Sequence, residues 1–178
     1  MARISIYDST LRDGAQAQGI SYSVEDKLKI VERLDALGVS YIEAGNPGSN
    51  PKDLEFFEEV RKIPLETARL VAFGSTRRKD AEAKDDANLK SLLAAGTECV
   101  AIFGKSWDFH VTEILRASLE ENLAMIRDTI AFLESEGRTV IYDAEHYFDA
   151  YRANPAYAME TLKAAVAGGA AVVVLCDT

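Results

Sequence analysis

Ser23-Val24-Glu25-Asp26-Lys27-Leu28-Lys29-Ile30-Val31-Glu32-Arg33-Leu34-Asp35-Ala36-Leu37-Gly38-Val39-Ser40-Tyr41-Ile42-Glu43 reads as one helix followed by one strand, and the rest of the chain repeats that step. Ser23 with Asp26 makes a capping-box start. Leu28, Ile30, Val31, Leu34 and Leu37 form an apolar face, and Gly38 suits the left-handed residue that closes a helix. Ser40–Glu43 then opens a short run of the kind that forms a parallel strand buried on both faces.

Working outward, strand-like runs occur at Ile4–Tyr7, Ser40–Glu43, Arg69–Phe73, Cys99–Phe103, Thr139–Tyr142 and Ala171–Cys176. Helical patterns fall between them at Val24–Leu37, Pro51–Lys62, Asp80–Ala95, Leu119–Glu136 and Pro155–Ala167, the last with Asn154 as cap and Pro155 in the first turn. Ala36-Leu37-Gly38, Ala94-Ala95-Gly96 and Ala167-Gly168-Gly169 each end a helix just before a strand. Strand starts recur at roughly the spacing of a βαβ step, about 30 to 40 residues. Alternating units of this kind build either a barrel or an open doubly wound sheet. No G-x-G-x-x-G follows the first strand, and polar residues recur at strand C-terminal ends, so the barrel is favoured. A complete barrel needs about 250 residues. The 178 residues are therefore expected to form a truncated (β/α)8 (TIM) barrel of about six parallel strands, a single unit spanning 1–178.

Hydrophobic residues make up 48% and charged residues 28%, which excludes a disordered chain. A net charge of −9 argues against nucleic acid as a partner. No basic amphipathic run or long apolar stretch suggests a membrane, and no secretory leader is visible, so a cytoplasmic location is expected. Cys99 and Cys176 lie in apolar runs with no C-x-x-C partner, the pattern of two buried reduced thiols.

The strand ends carry the chemistry. The first delivers Asp8, Thr10, Arg12, Asp13 and Gln16, and the second delivers Glu43 and Asn46 within the turn-rich loop Asn46-Pro47-Gly48-Ser49-Asn50-Pro51. The third gives Ser75, Thr76, Arg77 and Arg78, and the fourth gives Lys105. The fifth gives Asp143, Glu145 and His146, and the sixth gives Asp177 and Thr178. Such a rim suits a hard divalent cation together with an anionic oxo acid. Taken singly, each residue keeps two readings. Asp13 is a metal ligand or a turn cap, and Arg12 is an electrostatic catalyst or a salt-bridge partner. Glu145 is a catalytic or a paired carboxylate, and His110 and His146 are functional or structural. Arg77-Arg78-Lys79 is a phosphate grip or a solvated patch.

The stretch Tyr7-Asp8-Ser9-Thr10-Leu11-Arg12-Asp13-Gly14-Ala15-Gln16 resembles the opening signature of the 2-isopropylmalate synthase, homocitrate synthase and citramalate synthase family of metal-dependent barrel acyltransferases. Tyr41-Ile42-Glu43-Ala44-Gly45, Ala72-Phe73-Gly74-Ser75-Thr76-Arg77-Arg78, Ile102-Phe103-Gly104-Lys105-Ser106-Trp107-Asp108 and Tyr142-Asp143-Ala144-Glu145-His146 look like its citramalate-forming branch. The resemblance implies an acetyl-CoA:2-oxo acid acyltransferase that carries out a Claisen-type condensation in branched-chain amino acid (isoleucine) biosynthesis, with pyruvate as the oxo acid. Asp13 would then be a ligand to Mg, Mn, Zn or Co. Arg12 would stabilise developing oxyanion charge, and Glu145 would be the catalytic carboxylate. Thr178 would bind the oxo acid's carboxylate, with Gln16 and Glu43 in support. Phe73, Phe103 or Tyr142 would bound the substrate pocket. The alternatives are a 2-isopropylmalate or homocitrate synthase, or a lyase or carboxyltransferase on the same scaffold. The family's His-x-His ligand pair, its general base and its C-terminal regulatory region are expected to lie beyond Thr178. On that reading the 178 residues alone are expected to be inactive, and the full-length protein to be a homodimer.

Overall fold

A computed structural model describes residues 4–49 and 51–178. The opening Met1–Arg3 and Asn50 of the turn-rich loop lie outside the described residues. The chain runs β1 (Tyr7–Asp8), α1 (Val24–Leu37), β2 (Tyr41–Gly45), α2 (Pro51–Val60), β3 (Arg69–Ser75), α3 (Ala87–Ala95) and β4 (Cys99–Lys105). It continues through a π-helical turn (His110–Leu115), α4 (Leu119–Ser135), β5 (Thr139–Glu145), α5 (Tyr147–Ala153), α6 (Pro155–Ala167) and β6 (Val172–Leu175). The strands form one sheet in the order β1-β2-β3-β4-β5-β6, and every neighbouring pair is parallel. The sheet curls, so that residues following β1 and β6 line the same cavity. These are six parallel strands of a TIM barrel with the helices that connect them.

Local chemistry fixes the ends. The Ser23 hydroxyl accepts the Asp26 N–H at 3.1 Å while the Asp26 carboxylate accepts the Ser23 N–H at 3.0 Å, and Gly38 closes α1 at φ 86°. Asn154 accepts the Tyr157 N–H at 3.1 Å with Pro155 in the first turn of α6. The helix expected over Asp80–Ala95 starts only at Ala87. Asp80 is left-handed at φ 60°, and the Asp86 side chain accepts the Asn88 and Leu89 N–H groups, so capping is settled at Asp86. The strand expected at Ile4–Tyr7 is confined to Tyr7–Asp8, where pairing with β2 begins. The helix α5 was not expected, because seven residues are too few to show a period.

Strand alternation separates two apolar layers. Ile42, Ala44, Ala72, Val100, Ile102, Val140, Tyr142 and Ala144 face outward onto Phe56, Leu89, Leu92, Ile126, Ile130 and Leu133 of the helices. Trimming one of these large side chains to Ala costs about 2–5 kcal/mol. Val71, Cys99, Ala101 and Ile141 face inward with Tyr41 and Phe73 and floor the lumen. Above that floor the inward positions turn polar, which is where the site lies. Among the described residues no helix is long and apolar enough to cross a membrane.

Candidate active site

The loop after β1 is built to present Arg12. The Asp8 carboxylate accepts the Thr10 N–H and hydroxyl at 3.0 and 3.1 Å. The Ser9 carbonyl accepts from the N–H groups of Arg12 and Gly14, and buried Leu11 pins the turn. Arg12 then reaches inward. Its Nε donates to Glu43 Oε2 at 2.7 Å, its guanidinium lies 3.9 Å over the Phe73 ring, and one terminal nitrogen meets Asp13 Oδ1 at 3.0 Å. Glu43 is fully buried, and its other oxygen accepts the Tyr7 hydroxyl at 2.9 Å. Burial pushes the Glu43 acid up, and the bonds from Arg12 and Tyr7 counter that only in part. Burial, then the Glu43 charge, pushes the Tyr7 phenol up as well.

A second clamp sets the far end of β2. Lys27 and Asp53 form a buried ion pair, and Asp53 also accepts the Asn46 N–H at 2.8 Å. Gly45, at φ 148° in a β-bulge, has no room for a side chain, because a Cβ would lie 2.4 Å from Asp53 Oδ2.

Arg12, Asp13, Gln16, Glu145 and Thr178 all line one cavity of about 500 Å³. Phe73 and Phe103, stacked at 5.3 Å, form its apolar wall, and Asp143 lines it beside Glu145. Burial and the Glu43 charge push the Asp143 acid up to about 7, with Arg12 opposing. Glu145 is ion-paired with Lys105, its register partner on β4. The Thr178 hydroxyl oxygen accepts the His146 N–H at 3.4 Å, and His146 itself is left-handed at φ 52°. Asp13 caps nothing with its side chain, which is 63% exposed at the mouth of the cavity.

Other expectations shift. Tyr142 does not face the pocket; it points to the helix side, against Gly104 and Ile126, and is fully buried. Arg77 is no phosphate grip, because it is buried between Glu121 at 2.7 Å and Asp128 at 3.1 Å. Cys176 lies just past β6 and is only half-buried, not enclosed like Cys99, and burial pushes its thiol up to about 12. His110 and His146 pack edge to face at 4.8 Å beside Trp107, and neither lines the cavity. Two residues of the site were given no role from sequence, Tyr7 and Asp143; Phe73, expected to bound the pocket, does so and also lies beneath Arg12. The two-residue period of β5 places Asp143 on the same face as Glu145, so that signal was present.

The HMGL-like family matches residues 3–178. The chain belongs to the HMGL-like family. Curated relatives include an (R)-citramalate synthase of Synechocystis sp., 60% identical over 173 residues that are 97% of this chain and 32% of the relative. An (R)-citramalate synthase of Geobacter sulfurreducens is 53% identical over 178 residues, 100% of this chain and 34% of the relative. The chain thus spans about a third of the length of these relatives. A solved HMG-CoA lyase from Bacillus subtilis superposes with a TM-score of 0.74 at 16% identity, covering 96% of this chain and 57% of the lyase, a likeness of fold. In this HMGL-like chain, the one-cavity convergence is the feature with chemical content.

Asp13 fits one oxygen ligand of a hard divalent cation, being an exposed carboxylate on the cavity rim. Among the described residues no group of three His, Cys, Asp or Glu side chains could hold a metal, so Asp13 would supply only part of a coordination shell.

Proposed function

We propose that this chain carries part of the active site of an acyltransferase that condenses acetyl-CoA with pyruvate and water to give citramalate and free CoA. The observation that carries the reading is the single cavity holding Arg12, Asp13, Gln16, Glu145 and Thr178, with Arg12 anchored from beneath. Several relatives bearing the (R)-citramalate synthase name at 51–60% identity support the choice of reaction, whereas relatives named 2-isopropylmalate synthase stand at 32–36%.

The chain's own residues have definable tasks. Glu43 and the Phe73 ring hold Arg12 so that its guanidinium meets the keto oxygen, where negative charge develops as the new C–C bond forms. The Thr178 oxygen already accepts an N–H, which leaves its O–H to donate to the carboxylate of the oxo acid. Gln16 adds an amide donor on the same rim. Glu145 lies beside the reacting carbons, its charge held by Lys105. A base removes a proton from the acetyl methyl group, that carbon adds to the ketone, and hydrolysis of the thioester releases CoA. A divalent cation held in part by Asp13 would supply Lewis-acid polarisation of the keto group. The Phe73–Phe103 stack would bound the apolar side of the oxo acid. The full-length protein is read as a homodimer by family resemblance.

The test is thiol release from acetyl-CoA by the protein at its natural length, with Mg or Mn, against pyruvate, 2-oxoisovalerate and 2-oxoglutarate. Release with pyruvate alone is expected. Preference for either larger acid moves the assignment to another synthase branch, and release with none discards condensation.

A further inference from the structure

Among the described residues, three that are not glycine hold a positive φ: Asp80, Arg116 and His146. Of the three, His146 alone follows one cavity residue, Glu145, and donates its N–H to another, Thr178, at 3.4 Å. The next N–H, that of Tyr147, donates to the Cys176 carbonyl at 3.2 Å. The angle between these two N–H groups is set by φ and ψ of His146, which stand at 52° and 37°. The left-handed turn thus lets consecutive donors hold both ends of the segment Cys176–Thr178. Side chains other than glycine pay for that conformation, because Cβ crowds the following carbonyl.

Something must therefore hold the turn, and the ring of His146 shows what does. It meets the His110 ring edge to face at 4.8 Å, with the planes at 88°, and His110 in turn lies 4.8 Å from Trp107. The Nδ1 atoms of both histidines are shielded from solvent and make no hydrogen bond, so packing rather than polar contact fixes the rings. The loop that carries Trp107 and His110 is itself anchored. Asn154 Nδ2 donates to Asp108 Oδ2 at 2.8 Å, and Val111 is fully buried at the head of the π-helical turn.

We propose that His146 is a positioning residue for the oxo acid: its left-handed turn, braced by His110 and Trp107, aims the Thr178 hydroxyl into the cavity. The proposal rests on the condensation reading above. With its oxygen accepting from His146, the Thr178 side chain is held in one rotamer and its O–H is left to donate. His110 and His146 touch no reacting atom on this reading; they act through Thr178.

The experiment uses the enzyme at its natural length. His146→Val places a β-branched residue where φ must be positive, whereas Asn tolerates that region. KM for pyruvate should rise about tenfold or more in His146→Val, the size of one hydrogen bond to a charged group, and no more than about threefold in His146→Asn, with KM for acetyl-CoA changed less than about twofold in either. Equal KM for pyruvate in the two variants, or a rise in KM for acetyl-CoA as large as that for pyruvate, overturns the proposal. His146→Ala is read against His146→Asn if the Val variant fails to fold. His110→Ala removes the brace, and hydrogen exchange of the His146 and Tyr147 amides, followed by mass spectrometry, should quicken about tenfold. Exchange at the wild-type rate overturns the brace, and His110→Leu is measured if the Ala variant fails to fold. If the wild-type enzyme releases no thiol with any oxo acid, the condensation reading fails by itself. Calorimetric binding of pyruvate, with Mg, to wild type and His146→Val then decides the positioning: weaker binding by the variant supports it, and equal binding overturns it.

Discussion

Replacing Glu43 tests whether the Arg12 geometry is built or incidental. Glu43 is wholly enclosed and uses both carboxylate oxygens, one on Arg12 Nε at 2.7 Å and one on the Tyr7 hydroxyl at 2.9 Å. Glu43→Ala leaves Arg12 with the Phe73 ring and with Asp13, which is largely solvated and contributes little on its own. Breaking a buried pair costs about 3–5 kcal/mol, and the lost tyrosine hydrogen bond adds about 1 kcal/mol. One effect offsets these. Burial already pushes the Glu43 acid up, so removing its charge also relieves a desolvation cost. The expected net loss is therefore nearer 3 kcal/mol for Ala, and about 1–2 kcal/mol for the isosteric Gln, which keeps the volume and one acceptor. Arg12→Met lets Glu43 take up a proton, which limits its cost in the same way. Urea unfolding at pH 7.5 of wild type, Glu43→Ala, Arg12→Met and the double variant gives the coupling energy, expected at about 1.5 kcal/mol or more. Additive single effects, with coupling near zero, would refute the claim that Glu43 holds Arg12 in place.

Two further outcomes follow from the same geometry. In chelator-treated protein, Asp143 keeps its proton up to about pH 7, whereas an unfolded Asp loses it near its ordinary value of 3.8, so the folded state binds more protons between those limits. Stability should therefore fall as pH rises from about 4 to 7, and Asp143→Asn should flatten that slope and be more stable than wild type at pH 8 by urea titration; an unchanged slope would count against it. Gly45→Ala should lower the melting temperature and cost about 2 kcal/mol or more, because the new Cβ meets Asp53 at 2.4 Å and the backbone is held at φ 148°; a melt within a degree of wild type would show that the bulge gives way at little cost.

The family relationship bears on how far the chemistry can be carried by these residues. The chain accounts for about a third of the length of its curated relatives, and its described residues gather one rim carboxylate but no cluster of three metal donors. Under the proposed condensation, the parts that this chain would serve are recognition of the oxo acid and stabilisation of oxyanion charge at Arg12.

What the sequence determined by itself was periodic or local. Helix α1 with its Ser23–Asp26 box, the Asn154–Pro155 start of α6 and the alternation of strand and helix are visible because each depends on residues only a few positions apart. Strand ends rich in polar residues, together with the Arg12-Asp13 signature, marked where chemistry could sit. The tertiary structure alone decided which of those residues meet. Curling of the sheet brings Thr178 to the cavity that holds Arg12, a separation no local pattern encodes. It set Glu43 beneath Arg12 and Phe73 against its guanidinium, turned Tyr142 to the helix side, and bound Arg77 to the helix α4 carboxylates. Sequence spacing fixes which face of a strand a side chain takes. Distances between strands, and therefore burial, charge pairing and pKa, depend on how the sheet closes on itself.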